Sequence, residues 1–193
     1  SSRTEVDSLC SWLNSVGVFT SSYHAGLPAS VRSSRLKNFS LGHIKVICCT
    51  SAFGMGVDYP HVRWVIHFSL PYNLNAYWQE VGRAGRSGAP AFALCLWRRS
   101  EILRARRMHG AQKKAYSELW LAFASEECRK ISVAKSLGME EGPCGKCDQC
   151  VKKGQGVFSS HLQEMDFFLT KKIWWRESAA EIQSWIREKI FVD

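Results

Sequence analysis

A short cluster of cysteines constrains the fold of this chain more than any other feature. Cys144, Cys147 and Cys150 form two consecutive C-x2-C steps around Gly145, and Cys128 lies upstream on a predicted helix. Such steps place three thiolates on one tight turn, and the upstream cysteine supplies the fourth ligand of a closed tetrahedral site. Disulfides, free thiols and an iron-sulfur cluster are the alternatives, but a compact knuckle in a basic chain favours one structural zinc ion per chain.

The composition is that of a folded domain. The chain has 193 residues, of which 46% are hydrophobic and 22% are charged, which suits one domain or one domain with a small appendage. No apolar stretch reaches the roughly 18 residues of a bilayer span, and the N-terminal residues lack a secretory leader. We therefore expect an intracellular protein, nuclear in a eukaryote and in the cytoplasm or nucleoid of a bacterium. The other cysteines are expected to be small buried hydrophobes: Cys10, Cys48, Cys49 and Cys95.

Apolar runs alternate with helical patterns over residues 1–97. The sequence predicts helices at 4–16, 28–39 and 73–81, and extended segments at 18–23, 44–50, 62–68 and 91–97. The run at 44–50 is nearly continuous, as in a strand buried on both faces. This part of the chain is therefore predicted to be α/β, with a parallel sheet covered on both sides.

The character of the sequence changes after residue 97. An arginine-rich amphipathic helix near residues 102–108, two further helices and the cysteine turn predict a helical zinc-binding subdomain over 98–151. Residues 152–193 are predicted to be a linker and a short helical tail. Trp174, Trp175 and Trp185 in that tail are candidates for docking a protein partner.

Basic residues are concentrated in one segment. The net charge is +9, and residues 79–114 carry nine Lys or Arg against two acidic residues. A cluster of this kind commonly marks a polyanion partner, nucleic acid first, and a solvated basic face is the alternative.

Residues 79–86 read Gln-Glu-Val-Gly-Arg-Ala-Gly-Arg, with arginines at Arg83 and Arg86. Two arginines just past a helix, kept flexible by glycines, can reach a phosphate chain that another lobe holds. The segment resembles motif VI of superfamily 2 helicases. Residues 50–58 resemble motif V, and residues 23–27, Tyr-His-Ala-Gly-Leu, resemble the block that the RecQ family carries between motifs IV and V. Together with the four cysteines, residues 2–150 resemble RecQ DNA helicases.

The resemblance implies a RecA-like lobe and specific roles in ATP hydrolysis. Arg86 is expected to be the arginine finger that stabilises charge on the transferring γ-phosphoryl, and Arg83 a second phosphate contact. Asp58 is expected near the nucleotide, and Gln79 is expected to couple the nucleotide state to lobe closure.

DNA contacts are also implied by the resemblance. Arg3, His24 and Thr50 would touch the DNA backbone, with single-stranded or branched DNA as the partner and 3′-to-5′ movement as the direction. Plain surface contacts are the alternative for all three. Two other functions stay open: a non-enzymatic nucleic-acid-binding protein derived from a helicase, and a zinc-stabilised protein-interaction module.

The sequence lacks two elements of an ATPase. It contains no G-x-x-x-x-G-K-[ST] loop and no Asp-Glu-x-His, so this segment alone is predicted to be inactive. ATP and Mg²⁺ are expected only together with a first RecA-like lobe. Because Ser2-Arg3 resembles motif IV, the strand that precedes it in the family is expected to be missing here.

Overall fold

The computed structural model describes residues 2–51, 53, 59–96 and 107–152. Within these ranges the chain forms four strands and six helices, which fall into two compact units. The first unit contains the residues up to Val62 and the short segment Arg86–Gly88, and the second contains Arg63–Gly85 and the described residues from Ala89 onward. The predicted arginine-rich helix and the tail lie outside the described residues, and the boundary near residue 98 stays a prediction.

The first unit alternates helices and strands: α1 (Arg3–Ser15), β1 (Thr20–Tyr23), α2 (Ala29–Ser40) and β2 (Val46–Cys49). Ser2 caps α1, because its Oγ accepts from the Glu5 N–H at 3.2 Å while its own N–H donates to Glu5 Oε2 at 2.6 Å. Gly17, at a φ of 81°, turns the chain out of this helix.

Strands β1 and β2 pair in parallel, with Thr20 opposite Val46 and Tyr23 opposite Cys49. Helices α1 and α2 pack against this pair, and two small apolar clusters fill the space: Val6, Cys10 and Cys48 in one, and Phe39, Ile44 and Tyr59 in the other. Because parallel strands run the same way, His24 and Thr50, the residues that follow β1 and β2, emerge at the same edge of the sheet.

The second unit contains β3 (Trp64–His67), α3 (Leu74–Val81), β4 (Phe92–Cys95), α4 (Gly110–Ala124), α5 (Arg129–Ser136) and α6 (Asp148–Lys152). Strands β3 and β4 are parallel. Asn73 caps α3, because its side-chain oxygen accepts from the Ala76 N–H at 2.8 Å. One core joins the helices of this unit: Leu70, Leu74, Tyr116, Leu119, Ala122 and Val133.

All seven helices and strands predicted before residue 98 occur within a few residues of their predicted positions. The expected burial of the sheet on both faces is wrong for the second unit. Ile66 in the middle of β3 is 41% exposed, and Phe68 just after the strand is also exposed. The described helices of this unit pack chiefly on one another around Leu119, so they leave part of this strand pair uncovered.

Candidate functional site

The Gln-x-x-Gly-Arg-x-Gly-Arg segment starts in the last turn of α3 and continues into the following loop. Gln79 and Arg86 are exposed, and Arg83 is half-buried. Between the two arginines, Gly85 adopts a φ of 77°, and a Cβ at this position would lie 3.0 Å from the Cβ of Ala91. The turn therefore requires glycine, and it sets the path on which both arginines are carried.

Other members of the basic cluster are only partly described. Arg107, Lys113 and Lys114 are exposed. The arginines between residues 97 and 106 lie outside the described residues, and so does Asp58. A continuous basic surface therefore stays a prediction.

His24 is not a surface residue. It is 5% exposed, and its Nε2 lies 3.1 Å from each carboxylate oxygen of Asp7 on α1. Hydrogen bonds from Ser22 and His24 hold the pKa of Asp7 below its usual value. Arg35 on α2 holds Ser22 in place, because its Nη1 donates to the Ser22 carbonyl oxygen at 2.6 Å. The imidazole is thus fixed in one orientation by a carboxylate.

The structure brings Arg3 and His24 together around Gly26. A Cβ built on Gly26 would lie 3.2 Å from Nη1 of Arg3 and 3.2 Å from Nδ1 of His24. The Nδ1 atom is buried and has no hydrogen-bond partner among the described residues. Thr50 is tied to the residue before His24, since its N–H donates to the Tyr23 carbonyl oxygen at 3.2 Å. All three predicted DNA-contacting residues therefore lie at one edge of the β1–β2 sheet.

The four predicted metal ligands converge. The sulfur atoms of Cys128, Cys144, Cys147 and Cys150 all lie within 4.8 Å of one another. Cys128 Sγ is 3.5 Å from Cys144 Sγ and 3.8 Å from Cys147 Sγ. Four thiolates about 2.3 Å from a tetrahedral zinc ion would be separated by about 3.8 Å, so the donor set and its spacing fit zinc.

Backbone geometry closes the cysteine cluster. Gly145, with a φ of 66°, makes the turn between Cys144 and Cys147. The Cys144 N–H donates to Cys128 Sγ at 3.3 Å, and the Arg129 N–H donates to Cys147 Sγ at 3.3 Å. Hydrogen bonds from backbone N–H groups stabilise thiolates and orient them toward a metal.

An arginine holds the cluster to the helices. Arg129 donates from Nε and Nη2 to the two carboxylate oxygens of Asp148, at 2.9 and 2.7 Å. Its Nη1 donates to the carbonyl oxygens of Phe123 and Ser125, at 2.6 and 2.9 Å. This bidentate pair connects the end of α4, the start of α5 and the start of α6.

The first cysteine of the cluster is prepared for ionisation. Although burial acts in the opposite direction, hydrogen bonds from the backbone N–H groups of Cys144 and Ile131 bring the pKa of Cys128 down to about 6. Burial raises the pKa of Cys150 to about 12.

Sequence reasoning missed the acidic partners of the site. Asp7 lies four positions after Arg3 on α1, so helical spacing indicates that the two share a face. Nothing in the sequence indicates that His24 packs on Asp7, or that Arg129 pairs with Asp148. These contacts depend on the tertiary fold.

In the part of the chain that the structure describes, no helix is long and apolar enough to cross a membrane. The sequence matches the family model of the helicase conserved C-terminal domain over residues 1–88. It is 44% identical over 107 residues to the RecQ-like DNA helicase blm-1 of Caenorhabditis elegans. The matched region covers 55% of this chain and 11% of that protein.

Two further relatives match most of the chain. The ATP-dependent DNA helicase RecQ of Pasteurella multocida is 34% identical over 78% of this chain and 25% of that protein. The RecQ-like DNA helicase BLM of Xenopus laevis is 34% identical over 79% of this chain and 13% of that protein. The chain therefore spans about a quarter or less of the length of these relatives.

Proposed function

The chain belongs to the RecQ family of superfamily 2 helicases, and from this we propose that it forms the second RecA-like lobe and the zinc-binding subdomain of an ATP-driven DNA helicase that moves 3′ to 5′. One observation supports the proposal most. The loop with Arg83 and Arg86 leaves α3, and α3 shares its core with α4 and α5, the helices that lead to the four cysteines. One chain thus joins the two elements whose combination resembles this family.

In the proposed reaction, a first lobe holds ATP and Mg²⁺ and this chain completes the site. Arg86 approaches the γ-phosphoryl and neutralises charge that develops in the transition state, while Arg83 contacts the phosphates. Asp58 lies near the nucleotide, and Gln79 couples the nucleotide state to lobe closure. The exposure of Arg86 and Gln79 supports this assignment, because both side chains are accessible to a neighbouring lobe.

The proposed DNA grip lies at the edge of the β1–β2 sheet. Arg3 and His24 border the space that Gly26 leaves by lacking a side chain. A phosphate oxygen of the DNA backbone would occupy that space, with Thr50 next to it at the end of β2. Nη1 of Arg3 supports this placement, because a guanidinium N–H that borders the space can donate to a phosphate oxygen.

We further propose that Cys128, Cys144, Cys147 and Cys150 hold one zinc ion. Four thiolates leave no position for water, so the ion would have a structural role and no part in the chemistry of ATP hydrolysis. Its contribution would be to fix α5 and α6 relative to each other.

ATP hydrolysis by this chain joined to a first RecA-like lobe of the family tests the proposal. Arg86→Ala should lower the DNA-stimulated turnover by about 10³-fold or more, with nucleotide affinity changed only a few-fold. Because Arg86 is exposed, the melting temperature should not change. Lys37→Ala, an exposed residue on α2, is the matched control and should keep the parent rate. Turnover by Arg86→Ala at the parent rate would contradict the assignment, and a loss of folding would make Arg86 a structural residue.

A further inference from the structure

A second histidine with a largely buried side chain lies next to the motif VI helix. His67 is the last residue of β3, and its side chain is 9% exposed. Its Nε2 lies 2.7 Å from Oε2 of Glu80 on α3, while its Nδ1 is buried without a partner among the described residues. The Leu96 N–H donates to the His67 carbonyl oxygen at 2.8 Å, which fixes the backbone of this histidine to the chain after β4. His67 is thus a rigid anchor for whatever contacts its ring.

Glu80 connects His67 to the loop that carries Arg83. Its side chain is held by His67, and its carbonyl oxygen accepts from the Arg83 N–H at 3.3 Å. One residue further along, the Val81 carbonyl oxygen accepts from the Ala84 N–H at 3.1 Å. The first turn of the loop is therefore hydrogen-bonded to Glu80, the residue whose side chain contacts His67.

Tyr77, on the same face of α3, contacts both His67 and α4. Its ring centroid is 5.4 Å from that of His67 and 5.0 Å, edge to face, from that of Phe123 on α4. Burial raises the pKa of the Tyr77 hydroxyl to about 12, so that hydroxyl stays protonated at neutral pH. Tyr77 and Glu80 are three positions apart on α3 and share a face. Apolar packing by Tyr77 holds the helix, and Glu80 holds its last turn.

We propose that His67 and Glu80 are positioning residues that fix the direction in which the loop leaves α3, and hence the approach of Arg83 to the nucleotide phosphates. This inference rests on the proposed function. The pair is only half-buried, with the Glu80 side chain 27% exposed, so it contributes little to global stability. Its value is geometric, because a displacement of about 1 Å at a catalytic group can cost about 10²-fold in rate.

The test compares variants of the pair in the chain joined to a first lobe. Glu80→Ala should lower kcat at saturating DNA by roughly 10-fold to 100-fold, while KM for ATP and the melting temperature stay close to the parent values. Glu80→Gln should restore most of the rate, since its amide oxygen still accepts from Nε2–H of His67. His67→Leu should match Glu80→Ala, and the double variant should lose no more than either single one. Glu118→Ala, an exposed carboxylate on α4, is the control.

Hydrogen exchange on this chain alone gives a second measurement. Glu80→Ala should speed the exchange of the Arg83 and Ala84 amides and leave the core of α4 protected. Parent-like turnover in Glu80→Ala, unchanged exchange at those amides, or a melting temperature that falls in step with kcat would overturn the inference. If Arg86→Ala also keeps its activity, the proposed function fails. If Arg86→Ala is inactive and Glu80→Ala is active, only the positioning role fails.

Discussion

His24 in the first unit and His67 in the second occupy equivalent places, and the difference between them separates two tasks. Each follows or ends a parallel strand, each presents Nε2 to a carboxylate, and each has a buried Nδ1 without a partner in the described chain. The acids come from different directions. Asp7 lies on α1, the helix before its strand, and Glu80 lies on α3, the helix after its strand.

Because the two carboxylates lie on different helices, each histidine–carboxylate pair restrains a different part of the molecule. In the first unit, Asp7 orients the imidazole itself, and Nδ1 of His24 lies 3.2 Å from the position that a Cβ on Gly26 would take. In the second unit, His67 is the fixed partner, and the pair restrains the end of α3 from which Arg83 departs. Under the proposed roles, the same kind of contact orients a DNA-facing side chain in one unit and restrains a loop in the other.

The largest expected effect is that of removing the metal ion, which should destabilise the second unit and leave the first unit folded. Cys147→Ser should abolish the binding of one zinc ion per chain and destabilise the second unit by about 3 kcal/mol or more, because metal binding there is coupled to folding. Hydrogen exchange should show lost protection in α4 and α5 and retained protection in α1 and β1. Cys49→Ala, a thiol in the first unit, should keep the zinc content of the parent.

A result in which Cys147→Ser melts like the parent, or in which elemental analysis of the parent finds no zinc, would contradict the metal site. Equal loss of protection in both units would contradict the separation of the two units.

A smaller effect should follow from filling the space over Gly26. Gly26→Ala places a methyl group 3.1 to 3.2 Å from atoms of Arg3 and His24, so the flexible Arg3 must move aside. Losing one charge-assisted phosphate contact should weaken DNA binding by about 1.5 kcal/mol, roughly tenfold, with turnover at saturating DNA unchanged. Fluorescence anisotropy with labelled single-stranded DNA measures this. Gly142→Ala, where an added Cβ meets nothing within 4 Å, is the control. Equal DNA affinities for the two variants would show that no phosphate binds in the space over Gly26.

The smallest effect concerns acid. Because Ser22 and His24 lower the pKa of Asp7 below its usual 3.8, ionised Asp7 stabilises the folded state above that value. The contribution is lost as the pH falls through the lowered folded-state pKa. The free energy of unfolding in urea should therefore differ between the parent and Asp7→Asn at neutral pH, and the difference should shrink below about pH 4. A difference that is the same at both pH values would show that Asp7 acts through something other than its charge.

The elements of the fold could be predicted because their signals are local. Helical spacing of Val6, Cys10 and Leu13, with Gly17 behind them, predicts α1, and the structure confirms it within one residue at each end. The capping box of Ser2 and Glu5 was not predicted, although Ser-x-x-Glu is a local signal for a helix N-terminus. The cysteine cluster was predictable for the same reason, since two C-x2-C steps close on themselves.

What the sequence could not predict depends on packing between distant residues. The apolar run of β3 predicts a strand buried on both faces, but burial depends on where the helices pack, and Ile66 is exposed. His24 reads as a surface residue in a polar segment, and its burial against Asp7 follows from the placement of α1 on β1. Glu80 reads as an ordinary helical acid until β3 brings His67 to it.

The most direct test of the account measures DNA affinity and turnover at saturating DNA for Asp7→Ala and Glu80→Ala side by side, in the chain joined to a first lobe. We expect the two variants to lose different properties. Asp7→Ala should bind DNA roughly threefold to tenfold more weakly and turn over at the parent rate once DNA is saturating, while Glu80→Ala should bind DNA like the parent and turn over roughly 10-fold to 100-fold more slowly. If each variant loses affinity and turnover in the same proportion, the two histidine pairs do not serve separate tasks.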